Sequence, residues 1–123
     1  MATILVIDDD AQIRALLDRF LSKEGHQVLL AENGDQGLST CAATEIELVI
    51  TDILMPEKEG LESIMEIRKR WPDMPIMAIS GGGRLPASTY LDLARKLGAA
   101  PTLQKPFTRE EFLTSVNGVL AKR

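Results

Sequence analysis

Ile4-Leu5-Val6-Ile7-Asp8-Asp9-Asp10 runs four consecutive apolar residues straight into three carboxylates. Apolar side chains on consecutive rather than alternate positions describe a strand buried on both faces, as in a parallel sheet covered by helices above and below. Similar runs follow at Val28 to Ala31, Leu48 to Ile50 and Ile76 to Ile79, with a weaker fifth at Thr102 to Gln104. Helical patterns lie between them. Ile13, Leu16, Leu17, Phe20 and Leu21 form a stripe at i, i+3, i+4, i+7, i+8 that stops before Gly25. A second helix is predicted from about Gly34 to Ala43, and a third carries Leu61, Ile64 and Met65 and closes ahead of Pro72. The fourth opens near Pro86 in its first turn, shows Tyr90, Ala94 and Leu97, and stops at Gly98. Thr108-Arg109-Glu110-Glu111 has the form of a capping box for a fifth, followed by Phe112, Val116, Val119 and Leu120. The order is (βα)5, an α/β fold.

A chain of 123 residues with 45% hydrophobic and 26% charged residues has the make-up of one globular domain. Its net charge of −4 gives no sign of a broad nucleic-acid footprint. No apolar run approaches the roughly 20 residues that span a bilayer, and Met1-Ala2-Thr3 lacks the basic start of a secretion signal, so a cytoplasmic protein is expected. The single cysteine, Cys41, excludes an internal disulfide and a cysteine zinc cluster; with Leu38 and Ala42 on one helical face it reads as a packed thiol. His26, the only histidine, reads as a solvated turn residue. Without a Pro/Ser-rich linker or repeat, residues 1–123 are expected to form one domain with no output domain attached.

In an open α/β sheet, ligands bind outside the carboxyl ends of the strands. There the sequence places Asp8-Asp9-Asp10 after the first strand, Asp52 after the third, Ser80 after the fourth and Lys105 after the fifth. Carboxylates sharing a pocket repel, so they call for a cation or for protons. Mg²⁺ suits such a site, because it takes one or two carboxylates, keeps waters and draws its remaining ligands from phosphate. A carboxylate is also a nucleophile toward phosphorus, and phosphoryl transfer needs mainly positioning and charge neutralisation, which a metal, a lysine and a hydroxyl supply. Each residue has a plainer role: one aspartate of the triple caps a helix, Asp52 starts a turn, Lys105 sits on the surface. Their joint placement at strand ends favours the active-site reading.

With these residues in place, the chain resembles a response-regulator receiver domain over essentially its whole length. The resemblance rests on Ile4-Leu5-Val6-Ile7-Asp8-Asp9-Asp10, on Asp52-Ile53-Leu54-Met55-Pro56 with Gly60-Leu61-Glu62, on Ile79-Ser80-Gly81 and on Lys105-Pro106-Phe107. It implies a flavodoxin-like, doubly wound three-layer fold with strand order 2-1-3-4-5. It implies that Asp52 accepts a phosphoryl group from a histidine kinase or histidine phosphotransfer protein, that Asp9, Asp52 and the Leu54 carbonyl bind Mg²⁺ or Mn²⁺ directly, and that Asp8 acts mostly through water. Lys105 would contact the phosphoryl group through a strand end closed by a cis bond to Pro106. Ser80 would turn toward the phosphoryl oxygens after modification. The signal would leave through the fourth helix, fifth strand and fifth helix to a separate protein, with no direct contact to nucleic acid or membrane. Beyond acquiring and losing its own phosphoryl group, such a domain is not an enzyme.

Three departures stand out. Thr102 occupies the position where receivers commonly carry a Tyr or Phe. The stretch from Ser80 to Lys105 is longer than usual, the extra length falling in Gly81-Gly82-Gly83-Arg84-Leu85-Pro86. Leu54 and Gly82 stand where receivers border the path of the attacking water. The glycine run matches neither GxxxxGK[ST] nor GxGxxG and follows the fourth strand, so it reads as a flexible joint rather than a nucleotide loop. Two other functions fit parts of the pattern. A phosphohydrolase of the haloacid dehalogenase type would use Asp8-x-Asp10, although Ala11-Gln12 lacks the Thr or Val that pattern wants. A pseudo-receiver would keep the fold and bind a partner without carrying phosphate.

Overall fold

The computed structural model describes residues 1–53, 60–81 and 85–122. Among them the strands are β1 (Thr3–Ile7), β2 (Gln27–Ala31), β3 (Leu48–Asp52), β4 (Ile76–Ser80) and β5 (Thr102–Gln104). The alternating helices are α1 (Ala11–Lys23), α2 (Gly34–Ala43), α3 (Gly60–Arg70), α4 (Ala87–Lys96) and α5 (Arg109–Ala121). All strand pairs are parallel, in the order β2-β1-β3-β4-β5, which is the flavodoxin-like arrangement.

Every residue of β3 and β4 is buried, and so is every residue of β1 except half-buried Thr3. Because successive side chains of a strand point to opposite faces, each run feeds two cores. Leu5, Ile7, Val49 and Ala78 pack with Ile64 and Ile67 of α3 and Leu91 and Ala94 of α4. Ile4, Val6, Ile50, Met77 and Ile79 pack on the other face with Leu17 and Leu21 of α1 and Phe112 and Val116 of α5. The edge strands are less covered: Leu30 of β2 is 43% exposed.

The predicted stop and start signals appear as caps. Gly25 and Gly98 follow α1 and α4 with φ of 88° and 101°, a conformation glycine adopts without strain. Thr108 accepts from the Glu111 N–H at 3.0 Å while Glu111 accepts from the Thr108 N–H at 2.8 Å, completing the capping box. Gly60 is demanded sterically, since a Cβ there would collide with the Asp52 carbonyl and the backbone of Ile53. Only glycine lets α3 begin so close to the end of β3.

Four side-chain expectations need correction. Met65, expected on the buried stripe of α3, is 54% exposed, and Ser63 and Ile67 turn inward instead. On α2, Leu38 and Cys41 are buried but Ala42 is exposed. Pro86 serves as the N-cap of α4 rather than its first helical residue. His26 is half-buried, and its Nδ1 accepts from the Ala2 N–H at 3.1 Å, tying the start of the chain to the α1–β2 turn. No described helix is long and apolar enough to cross a membrane.

Candidate acidic phosphoryl site

The parallel register aligns the carboxyl ends of the central strands, with Ile7 beside Thr51, Asp52 beside Ile79 and Ser80 beside Gln104. Backbone bonds extend the ladder past the strands: Asp8 N–H donates to Ala31 O at 3.1 Å, Ile53 N–H to Ile79 O at 3.0 Å and Lys105 N–H to Ser80 O at 2.9 Å. Asp8, Asp9, Asp52, Ser80 and Lys105 are thereby brought to one edge of the sheet. One carboxylate oxygen from each of Asp8, Asp9 and Asp52 lies within 4.8 Å of the others; Asp8 and Asp52 are buried and Asp9 is exposed. Lys105 Nζ donates to Asp52 Oδ2 at 2.8 Å and stands 3.6 Å from Asp8 Oδ2. The Lys105–Pro106 bond is cis, as expected; so is Ala100–Pro101, which was not foreseen.

The third aspartate of the triple leaves the pocket. Asp10 caps α1, its Oδ1 accepting from the N–H groups of Gln12 at 2.8 Å and Ile13 at 3.4 Å. A dehalogenase-type pair of Asp8 and Asp10 is therefore not assembled here.

Charges in this pocket are unbalanced. Burial pushes the Asp8 carboxyl up to about 6; the bond from the Asp10 N–H and the Lys105 charge pull it down, while the charges of Asp52 and Asp9 add to the rise. Burial also pulls on the Lys105 ammonium, but the bond and charge of Asp52 with the charge of Asp8 outweigh it and hold the group above its ordinary 10.5. When all three carboxylates are ionised, one lysine leaves an excess of two negative charges, the charge of one divalent cation. The oxygen-only donor set is that of a hard ion such as Mg²⁺.

The model of the family described as the response regulator receiver domain matches residues 4–117. The chain belongs to that family. Among curated receivers it is 34% identical over 123 residues to the DNA-binding transcriptional regulator NtrC of Rhizobium meliloti, covering 98% of this chain and 24% of that one. The chain spans 24–50% of the length of NtrC and of the transcriptional regulatory protein CpxR of Klebsiella pneumoniae. The receiver domain of NtrX from Brucella abortus superposes with a TM-score of 0.91 at 31% identity, covering 98% of this chain and 99% of that one. The response regulator TrrA of Thermotoga maritima, solved in complex with Mg(2+)-BeF, superposes with a TM-score of 0.86 at 34% identity, covering 97% and 99%. This receiver is thus of the kind found in two-component response regulators, with an acidic cluster that can hold a metal.

Among the other expected site residues of the receiver, Ser80 is fully buried at the end of β4. Leu54, Gly82 and Gly83 lie outside the described residues. Gly81 has no positive φ, and a Cβ there would make ordinary contacts of 3.5 Å with the Lys105 side chain, so its conformation does not require glycine. Thr102, noted above for standing in the place of the common aromatic, is half-buried, and its hydroxyl accepts from Arg95 of α4 at 2.8 Å, tying α4 to β5. Tyr90 packs against the core beneath α4. Sequence reasoning passed over Arg14, whose Nη1 donates to the Asp8 carbonyl at 2.6 Å. Its only signal is a basic side chain one turn into the helix that follows the aspartates.

Proposed function

We propose that this receiver carries a phosphoryl group on Asp52, delivered by a histidine kinase or a histidine phosphotransfer protein, and that Asp8, Asp9 and Asp52 hold the Mg²⁺ this requires. The observation that carries the reading is the meeting of Asp52 with Lys105 at 2.8 Å inside a cluster of three carboxylates. Bound Mg²⁺ would supply neutralisation of the charge gathered on the phosphoryl oxygens.

The chain's own residues do the rest. Asp52, fixed by the last rung of β3, presents a carboxylate oxygen that attacks phosphorus; the bond from phosphorus to the donor's imidazole nitrogen breaks, and that nitrogen keeps the electron pair. An acyl phosphate results on Asp52. Lys105 Nζ, already within hydrogen-bond reach of Asp52 Oδ2, follows the negative charge onto the phosphoryl oxygens. The Ser80 hydroxyl, at the end of the neighbouring strand, turns its single O–H toward them. Movement of Ser80 and Lys105 displaces β4 and β5 at their ends, and Arg95 couples β5 to α4 through Thr102. The output then passes to a partner protein through α4, β5 and α5, by biasing a two-state equilibrium rather than by creating a new state.

The test is direct. The protein is incubated with Mg²⁺ and acetyl phosphate and weighed. A mass gain of one phosphate, labile to hydroxylamine and missing in Asp52→Asn, is expected; a folded protein that gains nothing would leave the pseudo-receiver reading in its place.

A further inference from the structure

The β1–α1 turn poses a positioning problem. Asp8 is buried and pinned, its N–H donating to Ala31 O at 3.1 Å and its Oδ1 accepting from the Asp10 N–H at 2.9 Å. Asp10 is pinned as the cap of α1. Asp9 lies between them with an exposed side chain, yet its carboxylate has to meet those of Asp8 and Asp52. Where that carboxylate points follows from the orientation of the peptide joining Asp8 to Asp9, whose oxygen is the Asp8 carbonyl.

Arg14 grips that oxygen. Its backbone N–H is the first α-helical donor of α1, bonding Asp10 O at 3.0 Å, so the side chain rises from the first full turn and reaches back over the β1–α1 turn. Nη1 donates to Asp8 O at 2.6 Å, a short charge-assisted bond, and Nη2 faces Glu32 Oε1 at 3.7 Å. Glu32 is steadied by Gln36, which donates to its Oε2 at 3.3 Å and accepts from its N–H at 2.9 Å. Only 15% of the Arg14 side chain is exposed, unusual for an arginine with ready access to water. A cation held this close to an anionic metal pocket opposes metal binding by its charge alone. Its placement is explained if its geometry helps more than its charge hinders.

We propose that Arg14 is a positioning residue for the cation site: its guanidinium clamps the Asp8–Asp9 peptide so that the Asp9 carboxylate stays aimed at the Asp8–Asp52 pair. The inference rests on reading the acidic cluster as a divalent-cation site. It touches neither metal nor phosphoryl group.

Charge and geometry predict opposite signs, which makes the test decisive. Binding of Mn²⁺ and Mg²⁺ to the full chain is measured by titration calorimetry at pH 8, where Asp8 is ionised, alongside metal-free thermal unfolding of each variant. Arg14→Ala is expected to weaken the Kd by about tenfold or more, the usual effect of losing an outer partner of a metal ligand. Arg14→Lys keeps the charge but loses the planar fork, and is expected to bind more weakly than wild type and more tightly than Arg14→Ala. The metal-free melting temperature of Arg14→Lys should match wild type, which keeps the test valid if Arg14→Ala folds poorly. Unchanged or tighter binding in the two variants overturns the inference while leaving the site itself intact. A wild-type protein that binds neither ion overturns the site and the inference together.

Discussion

Replacing Asp8 by asparagine should stabilise this receiver in the absence of metal, although it deletes a residue of the functional pocket. The carboxyl is buried beside two other carboxylates and its pKa is raised from 3.8 to about 6. The sign follows from linkage. Between pH 4 and 6 the folded chain holds a proton that the unfolded chain has released, so this group's contribution to stability falls as pH rises through that window. Above it the ionised Asp8 costs the fold about 3 kcal/mol, at roughly 1.4 kcal/mol per pH unit. Asparagine keeps an oxygen for the Asp10 N–H, now at 2.9 Å, but gives up the attraction of Lys105 at 3.6 Å. That attraction is already contained in the raised pKa, which Lys105 pulls down, so it takes nothing further from the roughly 3 kcal/mol. The net gain is about 3 kcal/mol at pH 8, or roughly 10–15 °C in melting temperature for a domain of this size.

The assay is thermal unfolding of wild type and Asp8→Asn with a chelator, from pH 8 down to pH 4. The advantage of the variant should shrink below pH 6 and be nearly gone at pH 4, where wild-type Asp8 is itself protonated. Added Mg²⁺ should raise wild type the more, by about 2.7 kcal/mol at a hundred times its Kd, because the ion offsets two excess charges in wild type and asparagine has already removed one of them. If Asp8→Asn melts at or below wild type at pH 8 without metal, the pocket is not under the electrostatic load argued here.

Lys105→Met removes the cation nearest Asp52 and should tighten Mg²⁺ binding roughly three- to tenfold, the effect of about 1 kcal/mol of competing charge; calorimetry showing weaker binding would contradict this. His26, whose pKa is lowered first by burial and then by the charge of the N-terminus, binds its proton later in the folded chain than in the unfolded one. Its contribution is complete above its ordinary 6.5 and is lost as pH falls through that value toward the folded pKa, so urea midpoints should decline there and His26→Asn should flatten the decline. Gly60→Ala forces a Cβ against the Asp52 carbonyl and should cost about 1–3 kcal/mol while disturbing the pocket as well; a midpoint unchanged from wild type would show that the β3–α3 junction yields freely.

What could be read in advance was whatever periodicity encodes. Four consecutive apolar residues at Ile4 to Ile7 specify a strand buried on both faces, and parallel strands alternating with helices put Asp8, Asp9, Asp52, Ser80 and Lys105 at one edge without knowledge of any contact. The bounds of α2 and the capping box of α5 were likewise local properties. Individual side-chain partners were not. Asp10 differs from its two neighbours only in standing one residue before a helix, and that offset turns it from the pocket to the cap. Met65 shares a stripe with Leu61 and Ile64, yet the inward face of α3 carries Gly60, Ser63, Ile64 and Ile67, starting from the close approach of Gly60 to the end of β3. Arg14, His26 and the Arg95–Thr102 bond depend on long side chains crossing between elements, a reach that spacing along one segment does not report.

The charge pattern also ties the proposed metal to the proposed modification. Lys105 is shared unequally, at 2.8 Å from Asp52 and 3.6 Å from Asp8, so the Asp8 side of the pocket carries most of the uncompensated charge. Phosphorylation of Asp52 replaces one carboxylate charge by about −1.5 to −2 and draws Lys105 further toward that side. The excess negative charge left for a divalent cation then rises, so cation affinity increases in the modified state. Coupling between binding equilibria is reciprocal, and the same free energy by which the phosphoryl group tightens the cation is the free energy by which the cation favours the phosphoryl group. A residue that aims Asp9 at the ion, as Arg14 does in the reading above, therefore strengthens the modified state from a distance, through geometry alone.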